Sequence, residues 1–497
     1  MVAGAVLEAV ELVLSWPTIG WVLAGVIIGI IFGAIPGLGS TLGLAILLPL
    51  TIPLDGVDAI ILLISIYAGA MYGGSVAAIL INVPGTPAAA ATTFDGYPMS
   101  RQGKAINALT ISALSSGLGG MLGVAVLILL SPILITIILA FGSPEYFLLA
   151  VLGLSMIAIV SQTSLVKGII SGFFGLLLTT VGMAPIAPQE RYTFGSLLLF
   201  DGLELVAALL AMFAIAEMLK LAGERGSIAG KGEGLSGEKG PAVRDVIKNY
   251  KILIKGSMMG LLIGMIPGSG ASISNFIAYG EAMRASENPE TFGEGNSKGV
   301  IIAESCNNST VAGSLVPTLS FGIPGSGTTA VLLGGLVMHG MQPGPDLFGE
   351  DIYITFSMFI ALFIGSIMII LLGIFVLTRT SYITTIDTNI IIPIILVLSV
   401  VGGYAVRTNW IDVLTLLALG LIGFYMKKHD YSVIAFVLGF VLGPIAEENL
   451  FRSLQLSDGS VLIFLNPIQQ PLSALLVLLI ILVMFGPYYK DIRKYIS

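Results

Sequence analysis

Apolar runs long enough to cross a membrane recur along most of this sequence. The runs are nearly solid, as in LLVLLIILVMF at 475–485, whereas the strands of a membrane β-barrel alternate apolar and polar positions over about ten residues. A helix of about 20 apolar residues spans the hydrocarbon core. The pattern predicts an all-α polytopic membrane protein with about 12 transmembrane or re-entrant helices. The apolar blocks lie at about 21–35, 41–54, 59–82, 105–141, 146–161, 168–183, 197–222, 256–280, 352–378, 388–405, 410–426, 431–446 and 471–487.

Composition and charge narrow the classes of function. The chain is 56% hydrophobic and only 10% charged, which a soluble domain does not tolerate. Its formal net charge of -7 argues against nucleic acid as a partner. The single cysteine, Cys306, excludes an internal disulfide and a cysteine-based metal cluster. We therefore expect no cofactor and no catalytic or structural metal site.

One central segment is predicted to lie outside the membrane, exposed to water. Residues 220–255 carry eight of the 22 Lys and Arg residues, so the positive-inside rule places this segment in the cytoplasm. The predicted organisation is a first membrane repeat at 1–222, a cytoplasmic linker at 223–250, and a second membrane repeat with C-terminal helices at 251–497. The protein is expected to be a multi-pass component of the cytoplasmic (inner) membrane.

The two halves share a pattern of glycine and proline. At one offset of 231 residues, Gly25, Gly29, Gly33, Ile35, Pro36, Gly37 and Gly39 correspond to Gly256, Gly260, Gly264, Ile266, Pro267, Gly268 and Gly270. A second break follows in each half, at 82–87 and at 322–327, where the offset is 240. Accidental matching is the alternative, since the chain has 62 glycines, but the matching prolines and the repeated order favour duplication. The repeats are inverted if each half holds an odd number of crossings, which the sequence does not fix.

The second half contains an interrupted stretch at 299–345. Glu304 and the polar residues 307–310 interrupt its start, and 322–329 interrupts its middle. Irregular backbone persists within a membrane only where protein covers it or where it lines a watery cavity, and broken helices of transporters hold the substrate. In the first half, PGTPAAAATTFDGYPMSRQGK at 84–104 predicts a helix break followed by a solvent loop.

The breaks supply chemistry for an anion and for a cation. A helix that begins inside the membrane presents unpaired N–H groups and partial positive charge, which bind carboxylate oxygens. The predicted substrate-binding residues are Asn82, Pro84, Gly85, Thr86, Pro324, Gly325, Ser326, Gly327 and Thr328. Freed carbonyls and side-chain oxygens suit a cation. The predicted ion-binding residues are Gly37, Gly39, Ser40, Gly268, Gly270, Asn307 and Asn308. Tight helix packing is the alternative role for the serines and threonines.

Several long motifs together resemble the large membrane subunit of the tripartite tricarboxylate transporters. They are PGLGS near the start, YGGSVAAILINVPGTPAAAATTFDGYPM at 72–99, GSPEYFLLAVLGLS at 142–155, ERYTFG at 190–195, AESCNNSTVAGSLVPTLSFGIPGSGTTAVLLGGLVMHGMQPGP at 303–345 and LGPIAEENLFRSLQLSDGS at 442–460. The resemblance implies ion-driven uptake of citrate-like di- and tricarboxylates. It also implies two partners, a small membrane subunit and an extracytoplasmic solute-binding protein.

We expect a secondary transporter that binds its carboxylate near the membrane midplane. Sodium is the expected coupling ion, taken up by symport, and a proton is the alternative. By analogy, we expect an elevator-like motion and a homodimer. The competing functions are an anion-selective channel and a carrier for another small anionic solute. We predict no enzyme activity, because the sequence lacks HExxH, GxSxG and GxxxxGK[ST] motifs.

Overall fold

Helices form almost all of the described structure. The computed structural model describes residues 2–156, 164–185, 189–223, 235–268, 270–379, 388–467 and 470–496. The helices of the first half are α1 (Val2–Leu14), α2 (Thr18–Ala34), α3 (Gly39–Leu47), α4 (Gly56–Ile81), α5 (Ala90–Met99), α6 (Ala105–Ile138), α7 (Ser143–Ser155), α8 (Leu165–Leu178) and α9 (Leu205–Gly223). Those that follow are α10 (Lys239–Lys248), α11 (Tyr250–Gly264), α12 (Gly270–Arg284), α13 (Ser297–Phe321), α14 (Gly327–Met338), α15 (Pro345–Phe348), α16 (Ile352–Phe375), α17 (Thr388–Ala405), α18 (Trp410–Lys428), α19 (Val433–Leu456) and α20 (Pro471–Ile496). The sheet within these ranges is one short antiparallel pair, β1 (Gly182–Met183) with β2 (Glu190–Arg191).

Six helices in the described ranges are long and apolar enough to cross a membrane, or seven if the bent pair α1 and α2 counts as one span. The six are α4, the continuous stretch Pro87–Ile138 that contains α5 and α6, α9, α16, α18 and α19. Shorter apolar helices of 10–17 residues, among them α3, α7, α8 and α14, would have to supply the remainder of the expected dozen. The protein is therefore an all-α membrane protein, and the count of about 12 stays a prediction.

The glycine face of α2 packs directly on α4. A Cβ on Gly25 would lie 2.7 Å from the Leu62 carbonyl oxygen, and a Cβ on Gly33 would lie 2.1 Å from that of Ala70. Small residues allow two helix backbones to approach this closely. Because the contacts advance along both helices together, α2 and α4 run parallel. The chain must therefore turn back through α3, which makes α2 and α3 a hairpin with the 35–38 break at its tip.

The second half repeats this packing between α11 and α13. A Cβ on Gly256 would lie 2.9 Å from the Ile302 carbonyl oxygen, and one on Gly264 would lie 2.8 Å from that of Thr310. The glycines keep the 231-residue offset, and the carbonyls that they face keep the offset of 240. Helices α11 and α12 therefore form a second hairpin, with residues 265–268 at its tip.

The long helices α4 and α13 cross each other in opposite directions. The Tyr67 hydroxyl lies 3.4 Å from the Ser314 hydroxyl, and Asn307 Nδ2 donates to the Met71 carbonyl oxygen at 3.1 Å. The contact therefore advances along α4 as it retreats along α13. Corresponding helices of the two halves are thus antiparallel.

The prediction of a solvent loop within 84–104 is wrong, because most of this segment is helical. Residues Pro87–Ala89 form a 3₁₀ turn that leads into α5. The alanines favour helix, and the polar residues find partners elsewhere in the chain. The Asp95 carboxylate is fully buried and accepts hydrogen bonds from the backbone N–H groups of Gly293, Gly295 and Asn296.

The polar residues at 304–310 do not interrupt their helix either. They lie within α13, which is continuous and buried along most of its length. Its polar side chains are satisfied by neighbouring helices. Ser309 donates to the Ser257 carbonyl oxygen at 2.6 Å, and Thr310 lies 2.9 Å from the Ser274 hydroxyl. The actual break follows α13, at Gly322.

Two other sequence expectations need adjustment. The apolar block at 197–222 becomes a helix only from Leu205, because a 3₁₀ turn and a loop precede α9. The predicted linker contains α10, whose Ala242 and Val246 are buried, and α10 packs on α6. Residues 224–234 of the linker lie outside the described ranges. The division into two membrane repeats and a linker stays a prediction.

Candidate functional site

Four breaks divide the helices as the prolines and glycines predicted. At the two hairpin tips, Gly37 and Gly39 have φ angles of 86° and 64°, and Gly268 and Gly270 have 76° and 61°. A residue with a side chain adopts this left-handed region only at an energetic cost. The backbone therefore turns in the same way at corresponding positions of the two halves.

The second breaks also correspond. Helix α4 ends at Asn82 with φ 58°, and α13 ends at Gly322 with φ 65°. Asn82 is exposed at this helix end, so its side chain does not join the buried residues of the break. Pro84 is half-buried and Pro324 is buried.

Gly85 joins the second break of the first half to the α2–α3 hairpin. Its N–H donates to the Gly74 carbonyl oxygen at 3.1 Å. A Cβ on Gly85 would lie 1.8 Å from the Gly33 carbonyl oxygen, and a Cβ on Gly39 would lie 3.5 Å from the Gly85 carbonyl oxygen. The neighbouring Thr86 hydroxyl is buried without a hydrogen-bond partner among the described residues. Two breaks of the first half are thus in contact.

The start of α14 reaches across to the first half. The Thr328 hydroxyl lies 2.9 Å from the Ser40 hydroxyl and 2.8 Å from that of Thr41. In the reciprocal position, Asn275 on α12 donates to the Ala88 carbonyl oxygen at 2.7 Å. In each half, the helix after the hairpin tip therefore contacts the segment after the second break of the other half.

The N-terminus of α14 is capped by its own side chains. The Ser326 hydroxyl accepts from the Thr329 N–H at 3.2 Å, and the Thr329 hydroxyl accepts from the Ser326 N–H at 2.8 Å. This reciprocal arrangement satisfies two of the donors that open a helix. The N–H groups of Gly327 and Thr328 have no acceptor within the helix, because the first turn of a helix leaves its donors unpaired. Beside them, a Cβ on Gly325 would meet nothing closer than Ser314 Cβ, at 3.6 Å.

The two predicted ion-binding asparagines lie on α13 and not at a break. Asn307 and Asn308 are buried, and the Oδ1 atom of each has no hydrogen-bond partner in the described ranges. A Cβ on Gly270 would meet no atom within 4 Å. The predicted ion-binding residues thus lie on three separate elements, the two hairpin tips and α13.

Sequence reasoning missed polar side chains whose partners are far apart in the chain. Thr92 donates to Glu304 Oε1, and Ser116 donates to Glu304 Oε2, each at 2.5 Å. Glu304 lies one helical turn before Asn307, so it faces the same side of α13. That spacing was the available signal. Tyr67, beside Ser314, carried no signal in its apolar surroundings.

One cavity of the described residues is lined by none of the predicted site residues. It has a volume of about 800 Å³ and reaches Phe321 at the end of α13. Its wall carries the ion pair Arg191–Glu447, with the closest N–O distance 2.5 Å, and the pair Arg452–Glu448. Phe321 is the last residue of α13, so the cavity reaches the residue that precedes the break at Gly322.

A smaller cavity of about 320 Å³ contains Glu204, His339 and Arg407. Burial raises the pKa of Glu204 to about 7, against the opposing effects of the Ala207 N–H group and the Arg407 guanidinium. Burial lowers the pKa of His339, whose Nε2 lies 2.9 Å from the Thr51 hydroxyl. None of the residues that line this cavity belongs to a break.

The fold and the paired breaks define a membrane protein of the transporter class, because interrupted helices from two halves meet in the interior. The model of the tripartite tricarboxylate transporter TctA family matches residues 19–438. The chain belongs to this family, as the sequence motifs predicted.

Two relatives come from Agrobacterium vitis. An "uncharacterized 52.8 kDa protein in TAR-I ttuC' 3'region" is 33% identical over 424 residues, which cover 84% of this chain and 83% of the relative. An "uncharacterized protein in TAR-II ttuC' 3'region" is 30% identical over 224 residues, 45% of this chain and 93% of the relative. No solved structure matches the chain.

Proposed function

We propose that this chain is the membrane subunit that carries citrate-like di- and tricarboxylates across the cytoplasmic membrane, driven by an ion gradient. The observation that carries the proposal is the contact between breaks of different halves, in which Thr328 at the start of α14 lies against Ser40 and Thr41. A site shared by two halves changes its access when the halves move relative to each other.

The substrate carboxylates are proposed to bind at the second breaks. The free N–H groups of Gly327 and Thr328 and the partial positive charge of α14 favour an anion. The unpaired Thr86 hydroxyl adds a donor from the first half. Gly85 and Gly325 keep the backbone accessible, and Pro84 and Pro324 mark the positions where the preceding helices have ended.

Sodium is the proposed coupling ion. The unpaired Oδ1 atoms of Asn307 and Asn308 are acceptors without donors, and oxygen ligands suit this cation. Freed carbonyl groups at the hairpin tips would complete the coordination of the sodium ion.

Asn308→Ala is expected to raise the sodium concentration for half-maximal uptake several-fold, because it removes one of these oxygen ligands. The control Ser399→Ala removes another unpaired buried oxygen, on α17. If both variants changed the sodium dependence of uptake equally, Asn308 would not be a sodium ligand.

We further propose that the halves are inverted repeats. The matched glycine contacts, the equal turns at the breaks and the opposite directions of α4 and α13 support this arrangement. Inverted repeats are related by a pseudo-two-fold axis in the membrane plane and so permit an inward-open and an outward-open state; we propose an elevator-like movement in a homodimer. A small membrane subunit and an extracytoplasmic solute-binding protein are the proposed partners, as the tripartite family implies.

Uptake of radiolabelled citrate into proteoliposomes tests the function. The proposal predicts saturable uptake that requires an inward sodium gradient. Gly325→Val, whose added methyl groups intrude beside Ser314, should abolish uptake while the protein still inserts and purifies. Gly280→Val is the control, because a Cβ there would meet nothing within 4 Å. Non-saturable citrate conductance without a second ion would identify a channel instead, and retained uptake by Gly325→Val would refute the proposed site.

A further inference from the structure

A carboxyl group is enclosed where four helices meet. Glu304 on α13 has no exposed surface. Thr92 on α5 and Ser116 on α6 each bond one of its oxygens at 2.5 Å. The buried hydroxyls of Ser75 on α4 and Ser112 on α6 face the same carboxyl and have no other hydrogen-bond partner within the described residues. Four hydroxyls therefore surround one acid.

No positive side chain balances this acid within the part of the chain that the structure describes. None of the ion pairs there includes Glu304. On α4, Tyr72 faces the Glu304 carboxyl. The charged residue of α5 is Asp95, whose carboxylate is bound by backbone N–H groups. Helix α6 has no charged residue, and Lys255 of α11 pairs with Glu281.

The neutral acid fits these surroundings better than the carboxylate. An unpaired buried charge is strongly destabilising, whereas a protonated carboxyl can donate to one hydroxyl and accept from another. The arrangement can therefore hold one proton without any metal or cationic side chain.

The fold does not require a polar group here. The positions that correspond to Glu304, Ser75 and Thr92 at the offset of 240 are Ile64, Leu315 and Leu332. All three are fully buried apolar residues, so the same helix packing is achieved without an acid. The polar cluster is confined to one half, and a buried acid within a membrane span is a functional candidate by default.

We propose that Glu304 is a proton-binding site that the transport cycle loads and unloads, which rests on the proposed transport function. Thr92 lies on the helix that follows the 82–86 break, so a movement of that break separates Thr92 from Glu304. Water then reaches the carboxyl along the Ser75 and Ser112 hydroxyls. The carboxyl O–H bond breaks, the proton passes to water, and the carboxylate remains until the enclosed state returns.

Infrared spectroscopy of the purified full-length protein in lipid tests whether Glu304 is protonated. The wild type is expected to show the C=O stretching band of a carboxylic acid at neutral pH. The band should lose the intensity of about one carboxyl in Glu304→Gln and keep it in Glu281→Gln, a variant of an ion-paired carboxylate on α12. The contribution of Glu204, whose pKa is about 7, should be the same in all three proteins. If Glu304→Gln fails to fold, Glu304→Asp retains the acid and should shift the frequency of the band. An unchanged band in these Glu304 variants would overturn the assignment.

Addition of citrate tests whether the proton takes part in transport. In the wild type, citrate is expected to change the band by about one carboxyl per bound molecule, with matching proton release to a pH-indicator dye. Citrate should still bind to Glu304→Gln, as measured by thermal stabilisation, but its binding should release no proton to the dye. Citrate binding that leaves the band and the dye unchanged would make Glu304 a structural acid. A wild type that binds no citrate, yet shows the band, would refute the transport function and with it the coupling, but not the protonation.

Discussion

Gly85 and Gly325 lie at corresponding positions of the two second breaks, but the space beside them differs. A Cβ on Gly85 would lie 1.8 Å from a backbone oxygen of Gly33, whereas a Cβ on Gly325 would find its nearest neighbour at 3.6 Å. The first glycine is fixed by packing. The second leaves room that a ligand can use, so only its replacement tests binding without disturbing the fold.

We predict that Gly85→Ala destabilises the protein and that Gly325→Ala does not. The clash forces a backbone shift, and overpacking of this kind costs about 1–3 kcal/mol. Thermal unfolding of the two purified variants measures the difference. Equal unfolding temperatures for Gly85→Ala and the wild type would contradict the packing of α2 on the break.

The carboxyl of Glu204 should make stability depend on pH. Burial raises its pKa from 4.5 to about 7, so the folded state holds a proton that the unfolded state has lost between these values. Its contribution is fully present below about pH 4.5 and is lost as the pH rises through about 7. The unfolding temperature should therefore fall over this range in the wild type and fall less in Glu204→Gln. Glu8→Gln, at an exposed carboxyl, is the control, and an equal slope in all three proteins would exclude Glu204 as the source.

At the level of the single helix, the start of α14 is capped by its own residues. Ser326 and Thr329 cap each other, which holds the first turn in place for the free N–H groups of Gly327 and Thr328. The cap therefore positions the proposed site as well as the helix.

Ser326→Ala is expected to destabilise the protein by about 1 kcal/mol, since loss of an N-cap side chain costs about 0.5–2 kcal/mol. Ser326→Thr retains the hydroxyl and should stay close to the wild type. Unfolding temperatures of both variants measure the effect. If alanine and threonine behaved alike, the cap would not stabilise α14.

The sequence predicted the breaks better than the helices between them. Proline and glycine act on the local backbone, so the turns at Gly37, Gly268 and Gly322 lie where those residues predicted. Helix α5 and the polar part of α13 were misread because their side chains are satisfied at a distance. Thr92 binds Glu304, and Asp95 binds the loop before α13. Such partners, more than 190 residues apart, leave no local pattern.

In the whole molecule, the directions of the helices predict on which side of the membrane each loop lies. Helices α11 and α13 run parallel, so the loop at 285–296 lies on the side of the linker, the proposed cytoplasmic side. Lys427 pairs with Glu217 close to the linker, and α19 begins just after this point and leads away from it. The turn at 457–460 should therefore face the opposite side.

Cysteine labelling tests these sides on a Cys306→Ser background, which removes the single native thiol. In intact cells, a membrane-impermeant maleimide should label Ser460→Cys and leave Glu287→Cys unlabelled until the cells are opened. Both positions are exposed, so burial does not explain a difference. Labelling of both from the outside would contradict the proposed orientation.

The proposed function requires that a carboxylate binds in the protein interior together with sodium. The most direct measurement is thermal unfolding of the purified protein with a panel of di- and tricarboxylates, each in sodium and in potassium at equal ionic strength. A ligand that binds only the folded state raises its stability by RT ln(1 + [L]/Kd). If sodium and a carboxylate bind together, the unfolding temperature should rise with the concentration of at least one carboxylate, and the rise should be larger in sodium than in potassium. No rise with any carboxylate in either salt would contradict direct substrate binding by this chain.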